Sequence, residues 1–292
     1  MEYIPEVRQP AVSGYFYPSD PNELKKLIEW CFTHEVGPGR IPKVSEARIK
    51  RSTGFVVPHA GYIYSGPVAA HAFSALAEEG VPETIIIIGP NHTGYGALVS
   101  VYPKGRWATP LGELEVDEEL ARAIVNNSNY AELDVYAHVE EHSIEVQLPF
   151  IQYLYGDRVR IVPIVLGIQT PEVAKDLAMS IIDAETSLGR DIVVLASTDF
   201  THYEPHGQAM KKDLEAINTL IETLDIHKFY DVVREYNVTA CGPGGVMGLA
   251  EYTKLKYKDK AAAKLLKYAT SGDTSGDKSA VVGYAAIQFF SK

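Results

Sequence analysis

Residues 84–96 read TIIIIGPNHTGYG, and this stretch decides the fold. A short run of β-branched residues closed by Gly89-Pro90 is too brief for a helix and reads as a strand buried on both faces. The Gly-Pro turn then places His92 at the carboxyl end of that strand. In open α/β sheets, ligand crevices form outside the carboxyl ends of the strands. The same local grammar recurs at VVPHAGYIYSG (56–66, with His59), VVLASTDFTHY (193–203, with Asp199 and His202) and VTACGPGGV (238–246, with Cys241). Side chains from four distant segments can therefore meet in one place, and their chemistry is that of a metal site.

Around this stretch, apolar runs rich in Val and Ile at 54–57, 84–88, 98–102, 159–166, 191–197 and 281–289 read as strands. Helical patterns fall at about 65–79, 117–126, 143–155, 171–184, 207–222, 226–236, 244–257 and 259–268. An earlier helix, PNELKKLIEWCF, begins at Pro21 behind the cap candidates Ser19 and Asp20 and buries Cys31. Strands alternating with helices predict an α/β fold, a largely parallel or mixed sheet with helices on both faces. No linker or composition shift divides the chain, so residues 1–292 are expected to form one domain. The strand after SGDTSGDK (271–278) would complete the same sheet, and SGDTSGDK itself reads as a polar turn.

The 292 residues carry a formal net charge of −11, which disfavours binding to nucleic acid or to an anionic membrane. The basic stretch KLKYKDKAAAKLLK (254–267) reads as a solvated helix face. No stretch is long and apolar enough to span a bilayer, and MEYIPEVRQP lacks the apolar core of a secretory signal; a cytoplasmic location is the expectation. Two cysteines, Cys31 and Cys241, do not make a disulfide framework.

Among the candidate site residues, His59 and His92 share one pattern: an apolar run, a proline, the histidine, and a glycine close by. Neutral imidazole is a common ligand for Zn, Fe and Cu. Asp199 and His202 are three apart; on a helical turn they would share a face, and the carboxylate would orient the imidazole for acid–base work. Cys241 precedes Gly-Pro-Gly-Gly and a helical pattern, where amide dipoles favour the thiolate as ligand or nucleophile. HVEEH (138–142) matches the H-x-x-E-H spacing of inverted zinc peptidases, but helical periodicity begins only at Ile144, with Ser143 as cap candidate. That leaves His138 ahead of the helix and Glu141 and His142 at its entrance, available to line a pocket. Tyr62, Tyr64, Tyr95 and Tyr203 lie near these segments and could stack on an aromatic substrate.

The segments RQPAVSGYFYP, VVPHAGYIYSG, GPNHTGYG, EHSIEVQLPF, STDFTHY, CGPGG and SGDKSAVVGYA, spread from residue 8 to residue 285, resemble the Memo family, named for a mediator of receptor-driven cell motility. Prokaryotic members are associated with a radical-SAM protein in the AmmeMemoRadiSam system, and this chain resembles the Memo component. The family's fold is similar to that of class III, LigB-type, extradiol dioxygenases, which hold non-haem Fe(II) with two His and one Glu. The resemblance implies that His59 and His92 are the imidazole ligands, that Cys241 replaces the carboxylate, and that His202 is the acid–base with Asp199 beside it. A thiolate is softer than a carboxylate and brings copper and zinc alongside iron as metals for the site. It is also easily oxidised where O₂ is activated.

Three readings follow. In the first, the chain binds a transition metal, iron foremost, and performs redox or metal-assisted chemistry on a small molecule, aromatic ones included. In the second, it is a non-catalytic binding module that keeps an ancestral pocket and acts with a peptide or a radical-SAM partner. In the third, Cys241 is a nucleophile activated by His202 and Asp199. A homo-oligomer is compatible with each.

Overall fold

The computed structural model describes residues 4–292; the first three residues of MEYIPEVRQP lie outside the described residues. The elements run β1 (Val7–Arg8), α1 (Pro21–Thr33), β2 (Ser52–Val57), α2 (Tyr62–Ala77), β3 (Thr84–Pro90), β4 (Val99–Val101), β5 (Arg106–Thr109), β6 (Gly112–Glu115), α3 (Glu118–Asn126), β7 (Ala131–Leu133), α4 (Leu148–Tyr155), β8 (Arg160–Leu166), α5 (Pro171–Leu188), β9 (Ile192–Ser197), β10 (His202–Glu204), α6 (His206–Thr223), α7 (Ile226–Glu235), α8 (Pro243–Tyr257), β11 (Ala261–Thr270), α9 (Ser271–Ser275) and β12 (Val281–Ser291). Asp20 caps α1 as expected, accepting from the backbone N–H groups of Asn22 and Glu23.

A nine-stranded mixed sheet has the order β10-β12-β2-β9-β3-β8-β4-β7, with β11 also paired to β12. Its centre is parallel: β2 with β9, β9 with β3, and β3 with β8. The isoleucine run explains that centre. Ile85 and Ile87 enter one core with α1, α2 and α4, while Ile86 and Ile88 enter a second core with α3, α5, α7 and α8 on the other face. Burial on both sides is why the strand is continuously apolar rather than alternating. β1, β5 and β6 form a separate three-stranded sheet.

One expected helix is a strand. Residues 259–268 contain alanine, leucine and lysine, all good helix formers, yet β11 pairs antiparallel with β12 from Ala261↔Ser291 to Thr270↔Gly283. Ladder hydrogen bonds along β12 override local propensity. The helix expected from residue 143 begins at Leu148, after a single 3₁₀ turn at Glu145–Gln147. SGDTSGDK is more ordered than a turn: its start forms α9, where Thr270 and Asp273 make a capping box. The short strands β1, β5, β6, β7 and β10 carry too few residues to show a period. No helix among the described residues is long and apolar enough to cross a membrane.

Candidate metal centre

Three adjacent parallel strands deliver the site. β2 ends at Val57 and leads to His59, β9 ends at Ser197 and leads to Asp199, and β3 ends at Pro90 and leads to His92. Since β9 lies between β2 and β3, their carboxyl ends bring these residues side by side. The segment before α4 closes the site from above. Gly89 permits this approach, for a Cβ there would lie 2.3 Å from Ser143 Oγ.

One ring nitrogen from each of His59, His92 and His142 lies within 4.8 Å of the other two, a grouping that can hold one metal ion. The rings of His92 and His142 stack at 4.6 Å, and that of His59 stands edge-on to both at 5.2 and 5.3 Å. His59 is buried at the base, while the His92 and His142 side chains keep 34% and 21% exposure, so the cluster opens to solvent on their side.

His92 is held by Glu141. Oε2 accepts from the His92 backbone N–H at 2.6 Å, and Oε1 accepts from Nδ1 at 2.7 Å and from Ser143 N–H at 3.0 Å. Burial alone would raise the Glu141 carboxyl, but the hydrogen bonds and charge of His92 hold it down at about 2. An ionised carboxylate only accepts, so Nδ1 of His92 carries its proton and Nε2 is left with the lone pair. Against the opposing effect of burial, Glu141 raises the His92 pKa. Burial, with the neighbouring His92 charge, lowers His142 to about 4, and burial holds His59 well below the ordinary histidine range. Neutral imidazole is the form that binds metal. A carboxylate behind one imidazole is a recurrent metal-site arrangement, so the donor set fits a borderline transition metal.

Cys241 lies just before α8, with Sγ 3.1 Å from His59 Nε2. The sulfur accepts from the Asp199 backbone N–H at 3.3 Å. Asp199 in turn accepts the His59 backbone N–H on Oδ1 at 2.8 Å, and its Oδ2 lies 3.9 Å from His59 Nε2. Burial pushes the Asp199 carboxyl up to about 6, although the His59 backbone bond opposes it.

Asp199 and His202 do not share a helical face. The chain from Thr198 to Thr201 is not helical, and His202 opens β10. The residues are committed elsewhere: Asp199 to the His59 backbone, and His202 to Thr239, whose carbonyl accepts from Nδ1 at 2.9 Å and whose Oγ1 accepts from the backbone N–H at 2.7 Å. His202 is still near enough that its charge bears on both His59 and Asp199.

A family model described as "Memo-like protein" matches residues 8–288. The chain belongs to the Memo family. It is 57% identical over 283 residues to a MEMO1 family protein of Desulfurococcus amylolyticus, covering 97% of this chain and 99% of the relative. It is 56% identical over 283 residues to one of Ignicoccus hospitalis (97% and 98% covered) and 51% identical over 282 residues to one of Methanopyrus kandleri (97% and 98% covered). Among solved structures, an uncharacterized protein from Escherichia coli K12 superposes with a TM-score of 0.50 at 11% identity, covering 82% of this chain and 99% of that one; this likeness concerns the fold alone.

In this Memo chain the compact imidazole group contains His142, which the sequence reading put in the pocket rather than among the ligands. Tyr62 is buried, donates its hydroxyl to the Val146 carbonyl and packs near Tyr17 and Phe150, so it serves the core; Tyr64, Tyr95 and Tyr203 are exposed. His138 closes a 3₁₀ turn and is buried edge-on against Tyr102 and Trp107, away from a helix shared with His142. The residues missed by sequence reasoning are those behind the site. Arg8 donates to the carbonyls of His138 (2.9 Å) and Glu141 (2.9 Å) and to Glu145 (2.7 Å). Both Arg8 and Glu145 lie inside the quoted motifs RQPAVSGYFYP and EHSIEVQLPF, which was the available signal.

The lowered thiol pKa expected of Cys241 at a helix start is overturned. Burial of the sulfur, with the negative charge of Asp199, pushes it up to about 12. These outweigh the helix dipole, which is worth about 1 kcal/mol or less. Metal-free protein should therefore react with iodoacetamide at Cys241 about a hundredfold more slowly than a free cysteine at neutral pH, the scarcity of thiolate being offset in part by its nucleophilicity. Peptide mapping separates this site from Cys31. Rapid alkylation of Cys241 would restore the nucleophile reading.

Proposed function

We propose that this protein binds a transition metal, iron first, with copper and zinc also suited to the donors, through His59, His92 and His142, with Cys241 as an additional donor. On this reading it performs metal-dependent chemistry on a small aromatic molecule. The observation that carries the reading is the trio of imidazoles, two from the loops after β2 and β3 and one from the segment before α4, with one of them backed by a buried carboxylate. Bound metal would supply Lewis acidity and a template for substrate and O₂.

The protein's own residues divide the remaining work. Glu141 fixes His92 in ring orientation and tautomer. His202, its Nδ1 spent on the Thr239 carbonyl, has Nε2 to take up or release a substrate proton. Asp199 accepts the His59 backbone N–H and so holds in place the loop that carries that imidazole donor. The His92 and His142 side forms the entrance, and Tyr95 follows His92 on the same loop, where it can meet an aromatic ring.

A catechol with O₂ as co-substrate is the class to test: one ring C–C bond breaks, both oxygen atoms enter the product, and no external reductant is consumed. Iron-loaded wild type should consume O₂ with a catechol series, and His202→Ala should lower kcat about 10²-fold or more while still binding metal. Full turnover in His202→Ala would remove His202 from the chemistry. No turnover by iron-loaded wild type with any catechol would end this substrate assignment.

The second reading, a binding module, draws on the exposed aromatic side chains of Tyr15, Tyr95 and Tyr203, which are 87%, 61% and 77% exposed on segments adjoining the site. Exposed tyrosines suit a peptide or a protein partner such as a radical-SAM enzyme. Stoichiometric, metal-independent binding of that partner, lost when these tyrosines are changed to serine, would favour it.

A further inference from the structure

His92 receives its tautomer from Glu141, but among the described residues no carboxylate lies within hydrogen-bond distance of the His59 ring. Nδ1 of His59 instead faces Ser197 Oγ at 2.9 Å. A hydroxyl can donate or accept, so this contact alone leaves the ring undecided. The surrounding groups remove the ambiguity. Ser197 Oγ lies 2.7 Å from the Ser143 carbonyl, which can only accept and so takes the hydroxyl proton.

Gln147 Nε2 approaches Ser197 Oγ at 3.0 Å and the Pro58 carbonyl at 2.8 Å. The Pro58 carbonyl also only accepts, so the Gln147 amide must present its NH₂ group to both. One lone pair of Ser197 Oγ thus receives Gln147, its proton goes to Ser143, and the remaining lone pair faces His59 Nδ1. Ser143, Gln147, Ser197 and His59 are all buried, at 0%, 1%, 1% and 2% exposure, so a proton placed otherwise would leave one of these groups without a partner.

We infer that Ser197 and Gln147 are positioning residues that fix His59 as the Nδ1-protonated tautomer, turning the lone pair of Nε2 toward Cys241 and the centre of the site. Two imidazoles are therefore set by different devices, His92 by an ionised carboxylate and His59 by a neutral hydroxyl relay. The relay ties together the ends of β2 and β9 and the segment that carries His142, since its members come from all three. Its purpose rests on the proposed metal centre, but the tautomer is a property of the metal-free chain.

The test is long-range ¹H–¹⁵N correlation on metal-free, ¹⁵N-histidine-labelled full-length protein, with the His59 ring assigned by its loss in His59→Gln. The expected result is a protonated Nδ1 and an unprotonated Nε2. A protonated Nε2 in wild type overturns the inference, and this needs no relay variant to fold. Ser197→Ala should then show a mixture of tautomers and bind zinc about 10–100-fold more weakly in competition with a chelator, with Ser197→Thr restoring both. An unchanged tautomer in folded Ser197→Ala also overturns it. If wild type takes up no zinc, the metal reading fails, while the tautomer in the metal-free spectrum still decides the relay.

Discussion

Replacing Glu145 by alanine is expected to cost about 3–5 kcal/mol of folding stability, the loss typical of breaking a buried ion pair from one side. Glu145 and Arg8 pair at 2.7 Å with 0% and 3% side-chain exposure. Among the described residues, four donors are satisfied by Glu145: Arg8 Nη1 and Ala11 N–H on Oε2, and Val12 N–H and the Tyr17 hydroxyl on Oε1. Removing the carboxylate would strand a guanidinium that also lies 4.1 Å over the Trp107 ring and ties down the carbonyls of His138 and Glu141. The N-terminal segment would lose its anchor, and the segment carrying Glu141 and His142 would loosen with it. Chemical denaturation measures the effect. A loss below about 1 kcal/mol, the range of an exposed pair, would show that the anchor is not needed.

Glu141→Ala is expected to weaken zinc binding about 10–100-fold, as removal of a ligand's carboxylate partner does in other metal sites. The change removes the acceptor for both Nδ1 and the backbone N–H of His92, freeing the ring to rotate and to change tautomer. Glu141→Gln should fall between wild type and alanine, because its carbonyl oxygen can keep one of the two bonds. Chelator competition reads both variants. Wild-type affinity in a folded Glu141→Ala would detach Glu141 from the metal site.

The central strands and the edge at which the site sits were legible in the sequence because strands buried on both faces are continuous apolar runs. Pro58 and Gly89-Pro90 mark the ends of β2 and β3, and the loops beyond β2, β3 and β9 carry His59, His92 and Asp199. The strand β11 was not legible. Its alanines and leucines favour a helix locally, and only antiparallel pairing with β12 makes it a strand. His142 was legible as an entrance residue but not as a partner of His59 and His92, because its position depends on how residues 138–147 fold back over the sheet edge. That fold-back is set by Gly89, Glu141 and the Arg8–Glu145 pair, which are contacts between segments far apart in sequence. The Ser197 relay escaped for the same reason: a serine at a strand end carries no signal until Gln147 and Ser143 are beside it. Cys241 shows the converse, a local rule about helix starts outweighed by burial and a neighbouring carboxylate.

The most direct measurement is the metal content of wild type and of His92→Ala and His142→Ala after anaerobic purification and reconstitution. The account predicts about one transition-metal ion per wild-type chain, iron foremost, and loss of that ion in both variants. A wild type that holds no metal and takes none up on reconstitution, or folded variants that keep the full complement, would contradict it.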